Sequence, residues 1–102
     1  MKVIEVVSDK INDELADAQE YAKLALELRD QYRSLADAYF MLSQEEMRHS
    51  MILHNEVAKL IEDYRKTNGE PPVTMQAVYD YLHKKSIEKA EKVKRYQAMY
   101  KE

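Results

Sequence analysis

From Ser8 to Met99 the chain repeats apolar side chains every three or four residues, the period of helices with one buried face. Ile11, Leu15, Ala18, Ala22, Ala25 and Leu28 trace one such face, and Ser8, followed by Asp9 and the Asp13-Glu14 pair, is its natural N-cap. Leu35, Tyr39, Leu42, Leu53, Val57, Leu60 and Tyr64 trace a second face, with Ser34 as the cap. Between them, Arg29-Asp30-Gln31-Tyr32-Arg33 has neither Gly nor Pro. An unbroken helix across both faces would nevertheless be far longer than usual, so a tight turn near residues 29–34 folds the pair into a hairpin. Thr67-Asn68-Gly69-Glu70-Pro71-Pro72 holds the only Gly and both Pro and ends the second helix. Thr74 then caps a third, whose narrower stripe is Met75, Tyr79, Leu82, Ala90, Val93 and Tyr100. The pattern predicts one all-α domain over residues 1–102, with helices at about 8–29, 34–66 and 74–99.

Two charged positions interrupt the second stripe. Glu46 and His49 fill the gap between Leu42 and Leu53, where a core helix carries Leu or Ile. A carboxylate and an imidazole facing a core are costly unless something pairs with them, and a bound metal ion is one such partner. Their i, i+3 spacing puts both donors on one face, a turn apart. With the hairpin turn centred near residue 31, their level on the first helix is about Asp13 to Ala16. Glu14 lies there and shares the wheel angle of Ile11, Ala18 and Ala25, whereas Glu20 points to the opposite side. Periodicity and level thus converge Glu14, Glu46 and His49 into a candidate metal site, with a buried ion pair as the plainer alternative.

Composition narrows the classes of function. The absence of Cys rules out disulfides, thiolate zinc sites and Cys nucleophiles. No apolar run approaches the ~20 residues of a membrane span, and Met1 to Val7 is too short and too interrupted for a secretory signal, so the expectation is a cytoplasmic protein. The net charge of −3 conceals an asymmetry: residues 1–72 carry 9 basic and 15 acidic side chains, residues 73–102 carry 7 and 4. The basic stretch around Lys84, Lys85, Lys89, Lys92 and Lys94 reads as a solvated face pairing with acidic helices, or as a nucleic-acid patch.

Glu14-Leu15-Ala16-Asp17-Ala18-Gln19-Glu20-Tyr21 resembles the first-helix pattern of the ferritin-like superfamily, a ligand Glu followed by Leu, with a Tyr seven residues on. Glu46-Met47-Arg48-His49 is similar to the second-helix motif of bacterioferritins and rubrerythrins, and the 32-residue separation of the two Glu matches in kind. The resemblance covers roughly residues 8–66. It implies a di-iron carboxylate protein that binds and oxidises Fe(II), for iron storage or detoxification. In it Glu14 is a terminal ligand, Glu46 a bridging carboxylate, His49 a terminal ligand, and Tyr21 a hydrogen-bond donor just outside them. A full ferritin-like chain has a fourth helix and a second Glu plus Glu-x-x-His set, which this chain lacks; Asp80-Tyr81-Leu82-His83 is the nearest approach and reads as a surface feature. Two hairpins related by a two-fold axis would supply four Glu and two His and complete a four-helix core. That arrangement resembles the encapsulated ferritins, short chains that share a di-iron site between subunits. It implies a homodimer or a multiple of dimers, with an encapsulating shell as partner, although the ending Gln97-Ala98-Met99-Tyr100-Lys101-Glu102 is not an evident cargo peptide.

The remaining residues read more plainly. Tyr21 and Tyr39 fit core aromatics better than redox partners, and His54 and His83 fit exposed positions. Met41, Met47 and Met51 lie off the main stripe and suit an adaptable contact surface. Two rival functions remain: a helical assembly or phage-associated structural module with a vestigial metal site, and a nucleic-acid binder acting through the basic third helix.

Overall fold

In a computed structural model that describes residues 2–102, the chain forms three helices: α1 (Lys2–Leu28), α2 (Arg33–Asn68) and α3 (Val73–Lys101). No strand occurs among the described residues. The molecule is a rod of 56 × 19 × 17 Å. No helix of the described residues is long and apolar enough to cross a membrane.

The buried line of α1 runs Ile4, Ser8, Ile11, Leu15, Ala18, Ala22 and Ala25, alternating steps of four and three residues. That spacing holds one seam against neighbouring helices along the whole length of α1. It also extends the helix backwards past the expected start. Ser8 is no cap; it is buried inside α1, because Ile4 one turn earlier is itself core and carries the helical pattern on.

The turn between α1 and α2 needs neither Gly nor Pro, since Tyr32 N–H donates to the Leu28 carbonyl at 2.8 Å and Ala36 N–H to the Tyr32 carbonyl at 2.9 Å. Tyr32 is the N-cap of α2 and makes no side-chain capping bond, so the expected Ser34 cap is displaced. Gly69, at φ 78°, ends α2 by donating its N–H to the Arg65 carbonyl at 3.0 Å, in the left-handed region that glycine adopts without a Cβ penalty. Pro72 is the N-cap of α3, and its carbonyl accepts from Gln76 N–H at 2.9 Å; Thr74 lies within the first turn rather than at the cap.

The core has two parts. Ile11, Leu15, Ala18, Met47 and Val93 form the central one, bordered by Val7, Leu53, Val57 and Ala90. Ala25, Ala36 and Tyr100 form the other, bordered by Leu26, Leu28, Tyr39 and Phe40. Small residues at Ala18, Ala22, Ala25, Ala36 and Ser43, all fully enclosed, let the helix backbones approach closely. Ser43 Oγ donates to the Ala18 carbonyl at 2.6 Å and accepts from Gln97 Nε2 at 2.9 Å, so one hydroxyl ties all three helices together.

The small residues also rotate α2 relative to the expected stripe. Its buried line is Ala36, Ser43, Met47 and Ser50, whereas Leu35 and Leu42 are 49% and 44% exposed. Met47 is therefore a core residue against Val93 and no part of a contact surface; Met41 and Met51 remain exposed. Glu46 and His49 consequently flank the core instead of interrupting it.

Helix α3 rests chiefly against α1. Its C-terminal end is fastened by polar contacts. Tyr100 donates its hydroxyl hydrogen to Asp37 and stacks on Phe40 at 4.7 Å, and Arg29 Nη1 donates to the carbonyls of Met99 and Tyr100 at 3.1 and 3.0 Å. Arg29 thereby satisfies the Tyr100 carbonyl at the helix end, and shares the Met99 carbonyl with the Glu102 N–H, which donates to it at 3.3 Å.

Candidate metal centre

On α1, Val7, Glu14, Tyr21 and Leu28 recur every seven residues along the edge of the buried line. On α2, Leu35, Leu42, Glu46, His49, Leu53 and Leu60 form the corresponding edge. The two edges meet on one flank of the hairpin, and there Glu14, Glu46 and His49 each present a ligand atom within 4.8 Å of the others. His49 Nδ1 lies 3.6 Å from Glu14 Oε2 and 3.9 Å from Glu46 Oε1. The carboxylates are largely enclosed, with side chains 12% and 19% exposed, while the imidazole, at 46%, forms the open side.

The needs of the carboxylates are unequally met. Glu14 Oε1 faces the Lys10 ammonium at 3.3 Å, on a side chain that is itself 61% exposed and free to swing aside. Glu46 Oε2 is buried and has no hydrogen-bond partner among the described residues. Enclosing a carboxylate oxygen without a donor forfeits its hydration and returns nothing. A cation at the centre of the triad would compensate that loss, and two carboxylates with one imidazole suit a hard or borderline divalent metal.

The three residues expected to converge from the sequence are thus brought together. Tyr21, two turns along α1 from Glu14, stacks on Tyr39 with ring centroids 5.9 Å apart. Among the described residues no hydrogen bond joins it to the triad. Of the two other histidines expected to be exposed, His83 is so and His54 is half-buried, and their rings face one another across α2 and α3 at 4.8 Å. No signal within a single helix could have paired them, because the register of α3 is set by its packing on α1. Asp80, one turn before His83, is an exposed residue accepting from Gln76 Nε2 at 3.0 Å.

Compared with family models, with curated proteins and with solved structures, the chain finds no match. What the site can do is therefore read from its donors and their surroundings.

Proposed function

We propose that this chain binds ferrous iron through Glu14, Glu46 and His49, and that a second copy of the chain completes a shared di-iron site at which the iron is oxidised. The observation that carries this reading is the convergence of an imidazole and two largely enclosed carboxylates, one of which, Glu46, keeps a buried oxygen without a hydrogen-bond partner among the described residues. Three donors leave open coordination positions, and the open side is the His49 side. Leu35 and Leu42, on the same edge of α2, keep roughly half their surface exposed, as does Val3 at the head of α1. An apolar, half-exposed rim around an incomplete ligand set favours a like surface as its cover, and a two-fold axis would supply four carboxylates and two imidazoles.

In this reading ferrous iron is the substrate. The carboxylate oxygens favour the ferric product, so two Fe(II) ions each give up one electron and dioxygen accepts two electrons and two protons. The carboxylates of an assembled but metal-free pair would repel one another, and binding the cation relieves that repulsion. Iron should therefore stabilise the dimer more than the monomer. The ferritin-like resemblance of residues 8–66 supports the same assignment.

The test compares wild type with Glu46→Ala for iron content, ferrous-oxidation rate and mass by light scattering. The expected result is about one iron per chain and rapid oxidation by a wild-type dimer, both lost in the variant. A folded oligomer that takes up no iron would overturn the proposal and leave the helical assembly module.

A further inference from the structure

Towards its C-terminal end helix α3 is fastened to α2 by the Gln97–Ser43 and Tyr100–Asp37 hydrogen bonds. Along the first half of α3, residues of α2 and α3 line a trough together with Ile11 of α1. A cavity of about 460 Å³ lies at one end of this trough and a second of about 250 Å³ at the other. Both are bounded by His54, His83 and Ser86, so the two imidazoles stand as a bridge between them. Their planes are 24° from parallel, and neither ring makes a hydrogen bond to another described residue.

We propose that His54 and His83 form a second metal site, an interhelical two-imidazole clamp for a borderline divalent ion such as Zn(II), Ni(II) or Cu(II). The donor type separates it from the oxygen-rich triad, because imidazole pairs select these ions over hard ones. The spacing fits. Two imidazoles sharing one tetrahedral ion through ~2.1 Å bonds have ring centroids roughly 5 Å apart, and the observed separation is 4.8 Å. In the metal-free arrangement the rings face each other. Ligation requires each to turn about χ2, a broad torsion for His.

The surroundings provide the rest. Burial, and then the neighbouring His83, hold the His54 imidazole below its ordinary range, so it keeps a free lone pair at neutral pH. The cavities leave room for water to fill the other coordination positions, with the Ser86 hydroxyl and the Asp80 carboxylate on the wall to accept from it. Of the charged groups lining the trough, Glu62 and Asp80 favour a cation, while Arg65 and Lys94 stand at its two ends. A bound ion would tie α3 to α2 midway along the seam, where the C-terminal contacts do not reach.

Zinc titration by calorimetry, with thermal melting on the same samples, tests this in the Glu46→Ala chain, which silences the triad and keeps the two sites distinguishable. One zinc should bind per Glu46→Ala chain and raise its melting temperature. Adding His83→Ala, an exposed position whose loss leaves the core intact, should weaken binding about tenfold or more and abolish the thermal shift. His54→Gln should do the same. Zinc binding to Glu46→Ala that His83→Ala leaves unchanged, or no zinc binding to Glu46→Ala at all, would overturn the site.

Discussion

Ser43 and Glu46 lie one turn apart on α2, and both are polar groups placed against an apolar seam. Ser43 is fully enclosed, yet its hydroxyl gives a hydrogen to the Ala18 carbonyl and takes one from Gln97. Glu46 is less enclosed, yet one of its oxygens has no donor. Enclosure alone therefore does not separate structural from functional polar groups. Satisfaction does: Ser43 completes its bonds within the fold, and Glu46 leaves a demand that a ligand from outside can meet.

The strongest way to break this comparison is to fill the serine site. Ser43→Leu forces a larger side chain between three closely packed backbones, and should cost about 1–3 kcal/mol in denaturant unfolding. The opposite sign is expected one turn away. Without metal, Glu46→Leu removes a buried carboxylate oxygen that has no hydrogen-bond partner among the described residues, and should leave the fold as stable as wild type, or more stable by about 1 kcal/mol. Excess Fe(II) under anaerobic conditions should then reverse that order, raising the melting temperature of wild type alone. A metal-free Glu46→Leu chain well below wild type in stability would mean that the carboxylate already has its partner within the fold.

Asp37 sharpens the contrast with the smallest effect, as a carboxylate that does have partners. The hydrogen bond from Tyr100, and the nearby Arg33, hold Asp37 below the ordinary carboxylate range. Burial, and then Asp37 itself, push the Tyr100 hydroxyl above its usual value of 10.0. The signs follow by linkage. The Asp37 contribution is present above its unfolded value of 3.8 and is lost as pH falls through the depressed folded value. The Tyr100 contribution is present below 10.0 and is lost as pH rises through the raised folded value. Melting temperature should thus decline at both extremes, and Tyr100→Phe should flatten both limbs by a modest amount, since Asp37 is exposed.

Much of the site was legible along the chain. Glu46 and His49 are close by helical spacing alone, and a hairpin whose turn lies near residue 31 brings Glu14 to their level whatever its exact crossing angle. The helices themselves follow from the three-and-four apolar spacing and from the break at Gly69, Pro71 and Pro72. The start of α1 was harder to read, because Ser8 and its acidic neighbours mimic a cap while Ile4 continues the helix behind them.

Sequence alone thus determined the helix number, the hairpin and the convergence of Glu14, Glu46 and His49, since each rests on local periodicity and chain connectivity. The tertiary structure decided which face of α2 is core. Ala36 and Ser43 pack where the larger Leu35 and Leu42 were expected, because small side chains permit the close backbone approach that large ones block. That rotation turns Met47 inward and sets Glu46 and His49 on an open flank. The docking of α3 on α1 then decided the meeting of His54 with His83. Contacts between separate helices depend on how every buried side chain fits at once, and no single stretch of sequence carries that information.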